Sequence, residues 1–370
     1  MTARILDKAV RREPLTRDEA YALYERTPVQ ELAAAADAVR RATVADPTVV
    51  TWQIDRNVNI TNVCISGCKF CNFHCKPHDT QRAFITTREE YRRKIAQTLA
   101  LGGDQLLLQG GLHPRLGIAF YEELFRDLKR MFPDVRLHAL GAPEVAHIAR
   151  VSGLTTIETL RRLMAAGLDS LPGAGAEILD PAVRRRISPA KPSAESWLAV
   201  MHEAHTLGLA TSATMMYGHI ETPRQRIDHL LAIRDLQARC PAGKPGFLAF
   251  IPWIFRSTGT QLEAEGTATD FSPLEYIRII AVSRLILNNI PNIQASWLTV
   301  GRSTAQTSLH SGANDMGSIM IEEHVVSSAG ANNRFDAEGI RQAIREAGFT
   351  PRLRNQLYEP RPWPPQHSPA

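Results

Sequence analysis

The segment NITNVCISGCKFCNFHC, residues 59–75, carries the strongest signal in the chain. Cys64, Cys68 and Cys71 are spaced C-x3-C-x2-C, and Cys75 follows at once. The chain has five cysteines, so four of them crowd into one short loop. Soft thiolates this close together most often hold a metal ion or a cluster. Three thiolates on one loop can bind three irons of a cubane and leave the fourth iron open for chemistry. A closed four-cysteine site instead holds structure or transfers electrons. A structural zinc site would pair two separated C-x2-C knuckles, and only one C-x2-C is present. The ferredoxin spacings differ as well. Cys75 reads as a free thiol beside the loop, with a ligand role as the lesser alternative. Cys240 ends a helical run and reads as structural.

The chain has 370 residues, 44% hydrophobic and 22% charged, which is globular composition with ample core. The net charge is +5 and the pI about 9.0, with the charges dispersed over helices apart from short clusters such as Arg184-Arg185-Arg186. This suits an anionic small molecule rather than a nucleic acid. No apolar run reaches the roughly 18 residues of a membrane span. The first residues, MTARILDKAVRREP, lack the apolar stretch of a secretory signal. Clustered cysteines in such a chain point to a reducing cytoplasm.

Periodicity gives the frame. Thr16 and Glu19 form a capping-box pattern, and helical spacing continues to about Thr43. Residues 49–61 alternate and are rich in β-formers, so they predict a first strand that delivers the cysteine loop. Strand and helix patterns then alternate through about eight strands, counting the short ANDMGS. That predicts an α/β fold, a full or nearly closed (β/α) barrel. The expected organisation is a helical extension at 1–48, the barrel at 49–331, and a helix with a proline-rich tail at 332–370. The tail from Pro351 carries six prolines and reads as extended or disordered beyond its first part.

In such barrels functional groups sit where strands run into loops at the C-terminal face. The second strand ends in Gln109-Gly110-Gly111-Leu112-His113, where paired glycines let a ligand lie on bare backbone or merely make a turn. The third leads to Glu144, a ligand carboxylate or an ordinary helix-start acid. The fourth ends in Gly173, Gly175 and Glu177 before a helix. The fifth offers Tyr217, His219 and Glu221. The sixth offers Trp253 and Arg256, a wall and an anion clamp for an aromatic carboxylate. Ser296 follows the seventh, and Asn314 with Asp315 the eighth.

The cysteine loop, with Phe70 just before Cys71, resembles the signature of the radical S-adenosylmethionine (SAM) enzymes. DRNVNITNVC, LLLQGGLHP, SLPGAGAEIL, TMMYGHIET, FIPWIF, NIQASW and GANDMGSIMIEEHVVSSAGA extend the resemblance over residues 55–331. They look like the branch holding the two futalosine-pathway enzymes of menaquinone synthesis and the deazaflavin (FO) synthases. DRN and FIPW are most similar to the enzymes that cyclise dehypoxanthine futalosine; aminofutalosine synthase and the FO synthases are the alternatives.

The resemblance implies a TIM-like radical SAM barrel with a [4Fe-4S] cluster on Cys64, Cys68 and Cys71, and S-adenosyl-L-methionine on its open iron. It implies cofactor contacts from Phe70, Gln109, Gly110, Gly111, Glu144 and Tyr217, and substrate contacts from His113, Trp253, Arg256 and Ser296. His219, Glu221 and Asp315 are the candidate proton acceptors. The implied partners are dehypoxanthine futalosine and an electron donor such as flavodoxin or ferredoxin. A 5′-deoxyadenosyl radical would abstract the ribose C4′ hydrogen, and the sugar radical would close on the benzoate ring. The sequence departs from the commoner C-x-F-Y ending of the loop, with Cys71-Asn72-Phe73-His74-Cys75, which leaves the role of His74 open.

Overall fold

The computed structural model describes residues 1–269, 271–324 and 326–363. The strand expected at 49–61 is two strands, β1 (Val49–Gln53) and β2 (Asp55–Asn59), divided at Ile54. Eight more follow: β3 (Gln105–Gln109), β4 (Arg136–Ala139), β5 (Ser170–Leu171), β6 (Ala210–Tyr217), β7 (Phe247–Ile254), β8 (Asn292–Ile293), β9 (Asp315–Ser318) and β10 (Thr350–Leu353). Strands β2 to β8 form one parallel sheet in sequence order, with helices between successive strands. β1 lies in a second sheet, between β10 and β9.

The break at Ile54 lets one stretch of chain serve both sheets. β1 pairs with β9 and β10, and β2 pairs with β3. Backbone bonds then close the ring. Asn314 N–H donates to the Ile293 carbonyl (3.0 Å) and Ala295 N–H to that of Asp315 (2.8 Å), joining β8 to β9. Ile319 N–H donates to Gln53 and Ile321 N–H to Asp55, each at 3.1 Å, joining the far side of β9 to the β1–β2 stretch. The wall is a parallel (β/α) barrel, as the alternating pattern predicts.

Strand pleating assigns each side chain to the lumen or the helix layer. Arg56 reaches Gln97 of the helix Arg88–Ala100, so the odd residues of β2 face inward. On β6, Thr211 bonds His205 of the helix Ala194–Leu207, so Ser212, Thr214 and Met216 face inward. The β6–β7 register shifts at Thr211/Ser212 and then sets Thr214 beside Ile251 and Met216 beside Trp253. Leu107, Gln109, Thr214, Ile251 and Trp253 all sit on these inner rows and all keep partial exposure. They line an open space inside the barrel.

The N-terminal segment folds as helices Thr2–Val10, Arg17–Arg26 and Val29–Thr43. The Thr16–Glu19 capping box is present. The first helix lies within the helical extension expected at 1–48, ahead of the capping box. Arg278 of the helix Pro273–Ile286 donates to the carbonyls of Tyr24 (2.9 Å) and Thr27 (2.8 Å), fastening this segment to the barrel. The C-terminal segment includes a helix at Ala337–Glu346 and then β10, which lies on β1 with Pro351 in an edge strand. The proline-rich tail beyond residue 363 lies outside the described residues. Among the described residues no helix is long and apolar enough to cross a membrane.

Candidate active site around the cysteine loop

The cysteine loop leaves β2 at the C-terminal mouth of the barrel and is laid along the end of β3. Ile60 N–H donates to Gln109 (2.7 Å), Gly111 N–H to Thr61 (2.8 Å) and Ile65 N–H to Leu112 (3.1 Å). This close approach explains Gly111, where a Cβ would fall 2.2 Å from the Val63 carbonyl oxygen and 2.8 Å from the Cys64 Cβ. Cys75 closes the loop with its backbone: its N–H donates to Asn62 (2.9 Å), and its carbonyl accepts from Cys64 (3.0 Å).

Burial pushes the Cys64 and Cys71 thiols up from their ordinary range. Polar groups work the other way. Ser66 Oγ lies 2.9 Å from Cys64 Sγ and 3.3 Å from Cys68 Sγ. Leu112 N–H donates to Cys64 Sγ and Ser188 O–H to Cys68 Sγ, both at 3.2 Å. These donors suit anionic sulfur. Among the described residues no three His, Cys, Asp or Glu side chains converge tightly enough to hold one metal ion. A cubane puts each thiolate on its own iron and so accepts the wider spread. The three soft thiolates and the donors around them fit an iron–sulfur cluster.

The three cysteines line a cavity of about 170 Å³ together with Phe70, Gln109, Gly110, Gly111 and Glu144, all expected there. Glu144 lies in the first turn of the helix Ala142–Ser152. Burial raises its carboxyl to about 7, against the pull of backbone N–H groups, including Gly110's, and of Lys191. Lys191 also lines the cavity. Its Nζ is 2.5 Å from Glu177 Oε1 and 5.3 Å from the Phe70 ring centroid. Burial works against the Lys191 charge, but Cys68 and Glu177 together hold its pKa above the ordinary lysine value. Asn59, Ser66, Ser188 and Lys191 escape sequence reading. Ser66 sits inside the C-x3-C spacing, whereas Ser188 and Lys191 lie in a loop marked by no periodicity.

Other expected site residues lie elsewhere, each for a local reason. Tyr217 is on the outer row of β6, under the Arg226 guanidinium (5.0 Å to the ring centroid) rather than at the cavity. Glu221 accepts from Gly218 N–H (2.7 Å), His219 N–H (3.0 Å) and Arg226 (2.7 Å). Burial opposes its charge, but His219, Arg226 and Gly218 bring its pKa down to about 2. His219 is buried, with one ring nitrogen 3.2 Å from the Met216 carbonyl and the other 2.7 Å from Ile220 N. Both are bonded within the turn that follows β6, and neither lines the cysteine cavity.

Asp315 faces Thr51 at the opposite end of the wall from the cysteine loop, and Arg354 grips it at 2.6 and 2.9 Å. It does not line the cysteine cavity. Ser296 is buried and bonded to the Pro252 carbonyl (2.7 Å). His113 accepts from Arg115 N–H (3.2 Å) within its own turn. Trp253 faces the lumen, and Arg256 is half-buried just past β7.

A barrel with three thiols, a carboxylate and bare glycine backbone at its mouth defines a SAM-dependent iron–sulfur enzyme, and the chain belongs to the radical SAM superfamily. That family's pattern matches residues 58–233, and the pattern described as CofH/MqnC C-terminal region matches residues 244–367. Its cofactors are a [4Fe-4S] cluster and SAM.

The cyclic dehypoxanthine futalosine synthase of Streptomyces coelicolor is 46% identical over 96% of this chain and 88% of its own length. That of Halalkalibacterium halodurans is 40% identical over 96% and 94%. The 5-amino-6-(D-ribitylamino)uracil--L-tyrosine 4-hydroxyphenyl transferase of Methanopyrus kandleri is 41% identical over 84% of each chain. Among solved structures, methylornithine synthase aligns with a TM-score of 0.70 at 20% identity, covering 94% of this chain and 97% of that one. The [FeFe]-hydrogenase maturase HydG aligns at 0.73 and 15%, covering 96% and 76%. These two share the fold.

Proposed function

We propose that this enzyme cyclises dehypoxanthine futalosine to cyclic dehypoxanthine futalosine in menaquinone synthesis, taking electrons from a flavodoxin- or ferredoxin-type donor in the cytoplasm. The observation that carries this reading is the near full-length likeness to two enzymes of that name, on a chain whose cysteine cavity opens over a lumen. When bound, the cluster and SAM supply a 5′-deoxyadenosyl radical.

The chain's own residues have four tasks. Cys64, Cys68 and Cys71 hold three irons. Glu144 and the backbone at Gly110 receive the ammonium of the methionyl group, and Lys191 with Glu177 supplies charge beside it. Trp253 walls the lumen, and Arg256 meets the benzoate carboxylate. The wall excludes water and holds the two reacting carbons near contact. The product is two hydrogens lighter than the substrate: the ribose C4′ hydrogen would pass to the 5′-deoxyadenosyl radical, and after the carbon–carbon bond closes the ring would give up a proton and one electron, the electron returning to the oxidised cluster. His219, Glu221 and Asp315 are all bonded elsewhere, which weighs against each of them as the acceptor of the ring proton.

The test is an anaerobic assay of cluster-reconstituted protein with dithionite, SAM and dehypoxanthine futalosine, read by mass spectrometry. A product two hydrogens lighter, formed with stoichiometric 5′-deoxyadenosine, is the expected result. The 41% likeness to the Methanopyrus transferase supports a second reading. Turnover of 5-amino-6-(D-ribitylamino)uracil with tyrosine, and none of dehypoxanthine futalosine, would establish that reading instead. Aminofutalosine synthase activity is the third arm of the same assay.

A further inference from the structure

The inner row of β2 carries Asp55, Asn57 and Asn59. Asp55 is satisfied: its carboxylate accepts from Ser318 O–H (2.5 Å) and its N–H donates to the same hydroxyl oxygen (3.1 Å). The next two rungs are not. The side-chain oxygens of Asn57 and Asn59 are both buried without a hydrogen-bond partner, in residues only 5% and 6% exposed. An orphaned buried acceptor costs about 1–3 kcal/mol. A barrel wall that keeps two in register keeps them for something that binds there.

Their surroundings name its chemistry. Asn59 lines the cysteine cavity beside Cys64 and Gln109. Asn57 is one pleat deeper, about 7 Å below at ~3.3 Å per residue. Leu107 and Gln109 flank the pair on β3, and Thr214, Ile251 and Trp253 share the half-open lumen. Neither β2 nor β3 sets a charge at the height of these two rungs. A carboxamide offers an acceptor and a donor on one small group, which matches a hydroxyl that both donates and accepts. Two orphaned carboxamide oxygens one pleat apart match a group bearing several hydroxyls, not a carboxylate or an apolar ring.

We infer that Asn57 and Asn59 bind the ribosyl hydroxyls of the substrate, Asn59 at the edge nearest the cluster and Asn57 below it. This rests on the cyclase reading above and adds to it the pair of residues that sets the sugar against the cofactor.

The test measures equilibrium binding of dehypoxanthine futalosine to reconstituted protein with SAM but no reductant, so that nothing turns over. Asn57→Ala and Asn57→Ser are compared with wild type, with iron content and SAM affinity measured on each. The alanine variant is expected to weaken substrate binding at least about tenfold, with serine between it and wild type and with iron and SAM affinity unchanged. Wild type is expected to bind the 2′-deoxy or the 3′-deoxy analogue correspondingly less well, and the alanine variant to lose part of that discrimination. Wild-type affinity in both variants, or wild type that binds both deoxy analogues as tightly as the substrate, overturns the inference and leaves the cyclase reading standing. Wild type that binds no dehypoxanthine futalosine removes the cyclase reading, and the inference with it.

Discussion

Glu144 shows how one buried carboxyl links stability to ligand binding. Its folded pKa of about 7 lies above the ordinary 4.5, so the folded chain holds its proton more tightly than the unfolded chain does. The free protein should therefore lose stability as pH rises from about 4.5 through 7, by on the order of 3 kcal/mol from this group alone. Glu144→Gln should flatten that slope, as measured by urea denaturation across this range; an unchanged slope would disprove the assignment. A methionyl ammonium at this site favours the ionised form, so SAM affinity should strengthen over the same interval in wild type and not in the variant. For Arg256, replacement by alanine should raise the KM for substrate by about tenfold or more and leave uncoupled 5′-deoxyadenosine formation intact. An unchanged KM sinks that clamp. At this scale the cysteines were legible because a loop's spacing is local. Tyr217, His219 and Glu221 were not, because the face each takes depends on strand pleat and on partners such as Arg226 from another element.

At the scale of elements, the end of β3 and the cysteine loop behave as one piece. The paired glycines read as a place for a ligand to lie on backbone. They do border the cavity, but the tighter demand on Gly111 comes from Val63 and Cys64. Gly111→Ala should push the loop off β3 at a cost of about 1–3 kcal/mol and more in local strain. The chain should still fold by circular dichroism while taking up clearly less iron on reconstitution. Wild-type iron content would show that the loop tolerates the shift. Strand and helix alternation was readable because each element carries its own period. The split at Ile54 was not, because β1 and β2 form one continuous β-rich run and only their partners differ.

At the scale of the whole molecule, the C-terminal segment is wall rather than appendage. Its composition, rich in proline, conceals β10, and the contact that fixes it joins residues far apart in sequence. Arg354 donates to Asp315 twice and to Gln53 (2.8 Å), in a pocket closed to solvent. Removing the cation alone leaves a buried carboxylate unpaired, and Arg354→Met should cost about 3–5 kcal/mol. Removing both partners leaves no orphan, so Asp315→Asn combined with Arg354→Met should recover most of that loss in urea denaturation. The same double variant decides what Asp315 does. As one half of a structural lock, it can be replaced with kcat kept near wild type in protein that still loads its cluster. As the proton acceptor that its place after the eighth strand suggested, its loss would lower kcat by about 10²–10⁴ without restoring stability. Asp315 pairs with Thr51, eight residues upstream of Asn59 and on the order of 20 Å away along the wall, so the first outcome is the expected one.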